Sequence, residues 1–160
     1  MTSMTNSINN HNYHNQPIIK QGNTGEIVKV LQKLLRNHCC YSGTIDGVCS
    51  SETIGGVILF QHRVFLPENG IVDEKTWQAL YKGGAVNLPT LQNGSQGELV
   101  VALQQRLYIA GYYTGLIDGD FSLLTQAAVK SFQFRHKLKV DGIVGDRTWF
   151  TLSNTPFFSS

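Results

Sequence analysis

The sequence predicts a mainly α protein, two tandem small three-helix bundles, each with at most a very short β-ribbon. The first observation behind this is a repeat: shifted by 72 residues, Asn15–Leu80 falls on Asn87–Leu152 without a gap, with 27 identities in 66 positions. Ordinary composition would give roughly one identity in seventeen, so the chain is a duplication of one unit. The second is helical spacing of apolar residues in each copy, Ile27, Val30, Leu31, Leu34 and Leu35 in one and Leu99, Ala102, Leu103 and Leu107 in the other. The third is a pair of Asp/Asn-Gly turns per copy, at Asp46-Gly47 and Asn69-Gly70, then at Asp118-Gly119 and Asp141-Gly142.

The elements follow in order. Residues 1–16 are rich in Asn, Ser and Thr and read as a mobile tail. The first module is expected over residues 17–82, a Gly-containing linker over 83–88, the second module over 89–153 and a short tail over 154–160. Helix one of each module should open with a capping box, Asn23 with Glu26 and Ser95 with Glu98. Gly43 and Gly115, in YSGTIDG and YTGLIDG, are candidates for positive φ. Ser50 and Ser122 are placed to cap helix two, with Thr53 and Thr125 in its first turn. Gly55 and Gly56 stand where the second copy has Ala127 and Ala128, which should weaken the first copy's helix by roughly 1 kcal/mol per glycine. Asp73 and Gly145 start helix three, whose Trp77 and Leu80, or Trp149 and Leu152, point to the core. Phe157 and Phe158 fray unless they fold back on the second module.

Thirteen basic and eleven acidic residues give a formal charge of +2 with no block of one sign, which argues against a nucleic-acid partner. No stretch approaches a membrane span, and the N-terminus lacks the apolar core of a secretory signal. Cys39, Cys40 and Cys49 all lie in the first copy, so the fold does not depend on them; a disulfide from Cys49 to Cys39 or Cys40 and three free thiols both stay open. His11 and His14 make half a zinc site on a ligand-poor tail, so no metal is expected.

The segments GSQGELVVALQQRL, GYYTGLIDGDFSLLTQAAVKSFQ and LKVDGIVGDRTW, with GNTGEIVKVLQKLL, YSGTIDG, Phe60-Gln61 and GIVDEKTW in the first copy, carry a family pattern. This pattern resembles the peptidoglycan-binding domain-like family, small three-helix modules attached to bacterial and phage cell-wall hydrolases. The resemblance spans about Pro17 to Leu152. It implies a tandem binder of peptidoglycan glycan or stem peptide in the cell envelope or outside the cell, while the lack of a secretory signal leaves the cytoplasm open; a monomer without cofactor is expected. The first copy departs from the pattern at Cys39-Cys40, Cys49 and Leu66-Pro67-Glu68-Asn69, the second at Leu123 and Leu124. The second copy is therefore the better place for a working site.

A wall binder needs polar groups aimed at amides and an aromatic face for sugar C–H surface. The candidates are Tyr113, Asp118, Ser122, Thr125 and Arg135, with Tyr41, Asp46, Ser50, Thr53 and Arg63 as first-copy equivalents. Each has a structural role beside the functional one. The aspartates can hold their turns, and the serines and threonines can start helices. The tyrosines can be half packed, and the arginines can either grip a stem carboxylate or bond to helix-end carbonyls. No H-E-x-x-H, no G-x-S-x-G and no duplicated His occurs, so catalytic residues are not expected. The expectation is non-catalytic peptidoglycan binding, with protein–protein interaction or regulation of a separately encoded hydrolase as the alternative.

Overall fold

The computed structural model describes residues 12–155. Among them lie a 3-10 turn, Asn12–Asn15, and six α-helices: α1 Glu26–Asn37, α2 Ser51–Arg63, α3 Glu74–Lys82, α4 Glu98–Ile109, α5 Leu123–Arg135 and α6 Asp146–Ser153. The chain divides into two compact units between Gly84 and Ala85, so each unit is one copy of the repeat.

Each module is held by a small apolar core. In the first it is built from Ile19, Val28, Leu31, Leu35, Val57, Phe60, Val72, Trp77 and Leu80, all 2 % exposed or less. The second uses the equivalents Val100, Leu103, Leu107, Val129, Phe132, Val144, Trp149 and Leu152, with Leu91 near the edge. Trp77 and Trp149 are the largest buried side chains, as their repeat with a leucine predicts. Each indole N–H donates across sixty residues to the carbonyl of Pro17 or Pro89 at 2.9 Å, which ties helix three to the entry of its module. The expected β-ribbons are reduced to isolated antiparallel bridges: Ile19 with Val72 and Thr24 with Val48, then Leu91 with Val144 and Gln96 with Asp120. They join the entry segment to the two turns.

Three local expectations are corrected. The capping boxes do not form, because α1 and α4 start later, with Gly25 and Gly97 as N-caps carrying no side-chain bond. Asn23 Oδ1 accepts from the Lys20 amide and Ser95 Oγ from the Gln92 amide instead, closing the turn before the bridge. Gly43 and Gly115 are absent from the positive-φ residues. They are glycines because a Cβ would stand 2.6 Å or 2.7 Å from the Tyr41 or Tyr113 hydroxyl. The tail reading also fails for its last residues: the 3-10 turn packs on α3, His14 Nδ1 lies 3.0 Å from Glu74, and Gln16 donates to the Tyr81 hydroxyl at 3.4 Å. His11, Phe157 and Phe158 lie outside the described residues. Among the described residues the three cysteines are free thiols, Cys39 exposed and Cys40 and Cys49 buried. No described helix is long and apolar enough to cross a membrane.

Candidate functional site

The turns are organised by four buried glutamines. In α1, the Gln32 amide nitrogen donates to Asp46 Oδ1 (3.0 Å), the Val48 carbonyl (3.2 Å) and Thr53 Oγ1 (3.1 Å), while its oxygen accepts from the Gly47 amide at 3.0 Å. Gln61 in α2 treats Asn69, Ile71, Thr76 and Gly70 in the same way. Gln104 in α4 repeats the set with Asp118, Asp120, Thr125 and Gly119, and Gln133 in α5 with Asp141, Ile143, Thr148 and Gly142. All four side chains are 1 % exposed or less. A buried amide is stable only with its donors and acceptors matched, and no buried side-chain nitrogen or oxygen among the described residues lacks a partner.

The pattern is Val-x-x-Leu/Phe-Gln on the helix, followed by Asp/Asn-Gly and then Thr seven residues after the Asp/Asn. It occurs twice per module, so α2 and α5 each close one turn with their first-turn threonine and the next with their glutamine. Sliding the sequence by a fixed step does not reveal it. The glutamine precedes its turn by fourteen residues in the first instance and by eight in the second. Gln32 and Gln104, Gln61 and Gln133 were visible as repeat identities, and their helical position one after a core residue was the signal that could have marked them.

This device decides where the predicted site residues stand. Tyr41 and Tyr113 fill the longer first turn: they are 8 % and 3 % exposed, accept from Gln32 and Gln104, and donate to the Thr44 and Leu116 carbonyls. Their expected role as aromatic faces is thereby corrected to an inward one. Thr53 and Thr125 are wholly buried in the glutamine network. Asp46 and Asp118 remain exposed at the turn tips, with one carboxylate oxygen engaged. The Gln32 amide, followed by the Val48 N–H, holds the Asp46 carboxyl below its usual range. At Asp118 the Asp120 N–H acts first and Gln104 second.

Ser50 accepts from the Thr53 amide at 3.5 Å as the cap of α2, whereas Ser122 caps α5 by position only and its exposed hydroxyl makes no cap bond. Arg63 donates to the His38 carbonyl at 2.6 Å, so in the first module the guanidinium seals a helix end. Arg135 is exposed. Of the ten residues, the structure leaves Asp118, Ser122 and Arg135 open to solvent in the second module, together with Asp46 in the first. Among the described residues no group of three or more His, Cys, Asp or Glu is arranged for a metal ion.

The family model described as "Putative peptidoglycan binding domain" matches residues 24–80 and again 96–152, which brackets both glutamine-latched units. The chain belongs to this family. Similar proteins include the N-acetylmuramoyl-L-alanine amidase CwlM of Mycobacterium tuberculosis, 45 % identical over 94 residues, covering 55 % of this chain and 23 % of that one. The spore cortex-lytic enzyme of Bacillus subtilis is 49 % identical over 63 residues, 39 % of this chain and 21 % of the enzyme. A probable N-acetylmuramoyl-L-alanine amidase of Bacillus licheniformis is 30 % identical over 152 residues, 82 % of this chain and 43 % of the other. Among solved structures, the SleB N-terminal domain is 41 % identical with a TM-score of 0.41, covering 42 % of this chain and 93 % of that one. The chain thus spans about a fifth to under a half of the length of these amidases and cortex-lytic enzymes.

Proposed function

We propose that this chain binds bacterial cell-wall peptidoglycan without catalysing its cleavage, and that it works in the cell envelope or outside the cell. The observation that carries the reading is the double family match: both compact units are peptidoglycan-binding-family domains, and each matched segment begins and ends within one glutamine-latched module. The physical counterpart is a rigid turn whose internal hydrogen bonds are satisfied, leaving its outer polar groups for a ligand. In the second module those groups are the free side of the Asp118 carboxylate, the Ser122 hydroxyl and the Arg135 guanidinium. Co-sedimentation of the chain with purified sacculi at low and moderate salt tests the reading. Retention in the pellet is expected, and a chain that stays in the supernatant at both salt levels rejects it.

A second reading is a module that grips a separately encoded wall hydrolase, and one observation favours it. Leu116, Leu123 and Leu124 are 78 %, 71 % and 52 % exposed, where the first module has Thr44, Ser51 and Glu52. Exposed leucines grouped around one loop suit a protein face. Replacing Leu116, Leu123 and Leu124 by the first-module residues separates the two readings: sacculus binding survives under the first and hydrolase capture is lost under the second.

A further inference from the structure

The residue immediately after the valine of the Val-x-x-Leu/Phe-Gln pattern lies over each turn, and its identity changes between copies. At Gly47 it is Lys29 and at Gly119 Val101, whose side-chain carbons stand 3.3 Å and 3.1 Å from where a glycine Cβ would be. Over Gly70 lie Ile54 and Ile58, and over Gly142 lie Gln126 and Lys130, the Lys130 Cε at 3.2 Å. The second turn of the first module is thus covered by two isoleucines and that of the second module by an amide and a lysine stem.

The same change runs along the whole face. Phe134, one helical turn after Lys130 and 78 % exposed, replaces His62, which in the first module pairs with Glu68 at 3.1 Å. Lys137 and Lys139 replace Phe65 and Pro67, and the half-exposed Val140 replaces Glu68. Three lysines accordingly stand where the first module has no lysine and one glutamate. Lys130, Lys137 and Lys139 are exposed and hold no ion pair among the described residues. An ordinary solvated face would pair or intersperse its charges. Here three lysines against the one carboxylate of Asp141, on which Lys139 acts, share a face with an aromatic ring that water does not favour.

Resting on the peptidoglycan reading, we infer that the α5 face and second turn of the second module, Lys130, Phe134, Lys137 and Lys139, form a docking surface for the carboxylates of peptidoglycan stem peptides. The lysines meet the carboxylates and the Phe134 ring covers the apolar part of the stem. Charge complementarity selects this occupant: with Lys130, Lys137 and Lys139 against Asp141 the face is net cationic, and the free stem termini are the anionic groups of that polymer. The lysine stem anchored at Gly142 places one ammonium beside the turn, and the turn itself is fixed by Gln133.

The test is a titration of the full chain, followed by amide NMR, with soluble muropeptides whose stem carboxylates are free and with the same fragments amidated. Shifts gathered over residues 126–142 with the free acid, weakened at least tenfold by amidation and by the K130Q/K139Q double substitution, are expected. The Trp149 indole signal reports that the variant is folded. Shifts confined to 116–122, or equal affinity for the amidated fragment, overturn the inference while sacculus binding keeps the broader reading. Retention on sacculi that disappears once wall phosphodiester polymers are stripped also overturns it, since the anion recognised is then a phosphate. Failure of the intact chain to pellet with any sacculi removes the broader reading and this one together.

Discussion

At the scale of single residues, the glutamines carry the turns. Removing the Gln104 side chain strands the Gly119 amide and the Thr125 hydroxyl in a site closed to water, while the exposed Asp118 carboxylate loses one donor and keeps the Asp120 N–H. Several neutral hydrogen bonds of about 1 kcal/mol each and the cost of unsatisfied buried groups are lost together. Q104A should therefore destabilise the second module by about 2–4 kcal/mol and leave the first nearly unchanged. Each module has one tryptophan, so the two indole N–H signals followed through a urea titration read the modules separately. The carboxylates set the acid limit. The Ile143 N–H first, and Gln133 and Lys139 further on, depress the Asp141 carboxyl, as backbone and glutamine donors do at Asp46 and Asp118. A folded pKa below the unfolded one means that the unfolded chain takes up protons first. This stabilisation is complete above the unfolded value of about 3.9 and drains away as pH falls through the folded values. Asn69 fills the same role with no proton to gain. D118N should thus flatten the stability loss of the second module between about pH 5 and pH 2, a difference that thermal melts across that range will record.

At the scale of elements, the two adjacent glycines of α2 are not equal. A Cβ at Gly55 would meet nothing within 4 Å, while at Gly56 it would stand 2.6 Å from the Cys40 carbonyl. G55A should stabilise the first module by about 0.5–1 kcal/mol through helix propensity alone. G56A should destabilise it, because backbone rather than a flexible side chain must give way, and denaturant midpoints of the two variants moving in opposite directions is the check. Sequence propensity had assigned both glycines the same cost; it sees the helix but not the Cys39-Cys40 turn laid against it. Helix order, the buried tryptophans and the turn positions were legible because local chemistry and the repeat agreed on them. The candidate site was less so: Tyr113 and Thr125 have the chemistry of ligand contacts, yet Gln104 fourteen and twenty-one positions from its partners claims the turn from inside. Partnerships of that span have no local signature. The helix-end solutions diverge for the same reason, His38 reaching the Leu80 carbonyl in one module and Arg106, from another position of helix one, the Leu152 carbonyl in the other.

At the scale of the whole molecule, duplication has kept the interiors alike and let the surfaces part. Most core positions keep their kind between the copies, whereas Arg36, Thr44, Ser51, Glu52 and His62 correspond in sequence to Tyr108, Leu116, Leu123, Leu124 and Phe134. The Arg63 guanidinium is committed to a helix end while its counterpart Arg135 is exposed. The two modules therefore should not contribute equally to a wall polymer. Cutting between Gly84 and Ala85 respects the bonding on both sides, because the Gly84 amide donates to Ala79 and the Ala85 amide to the Ser153 hydroxyl. The first half needs residues from Asn12 onward, whose 3-10 turn is tied to α3. Expressed separately, residues 12–84 and 85–155 should each melt cooperatively, since each encloses its own core. On sacculi the order of affinity should be whole chain, then second module, then first. Tethering makes a second contact intramolecular, at an effective concentration of about a millimolar, so the whole chain should exceed the second module by about tenfold, a gain that an equimolar mixture of the halves does not reproduce. Binding isotherms in which the first module alone matches the whole chain would reverse this assignment and move the working surface to the copy with the sealed arginine.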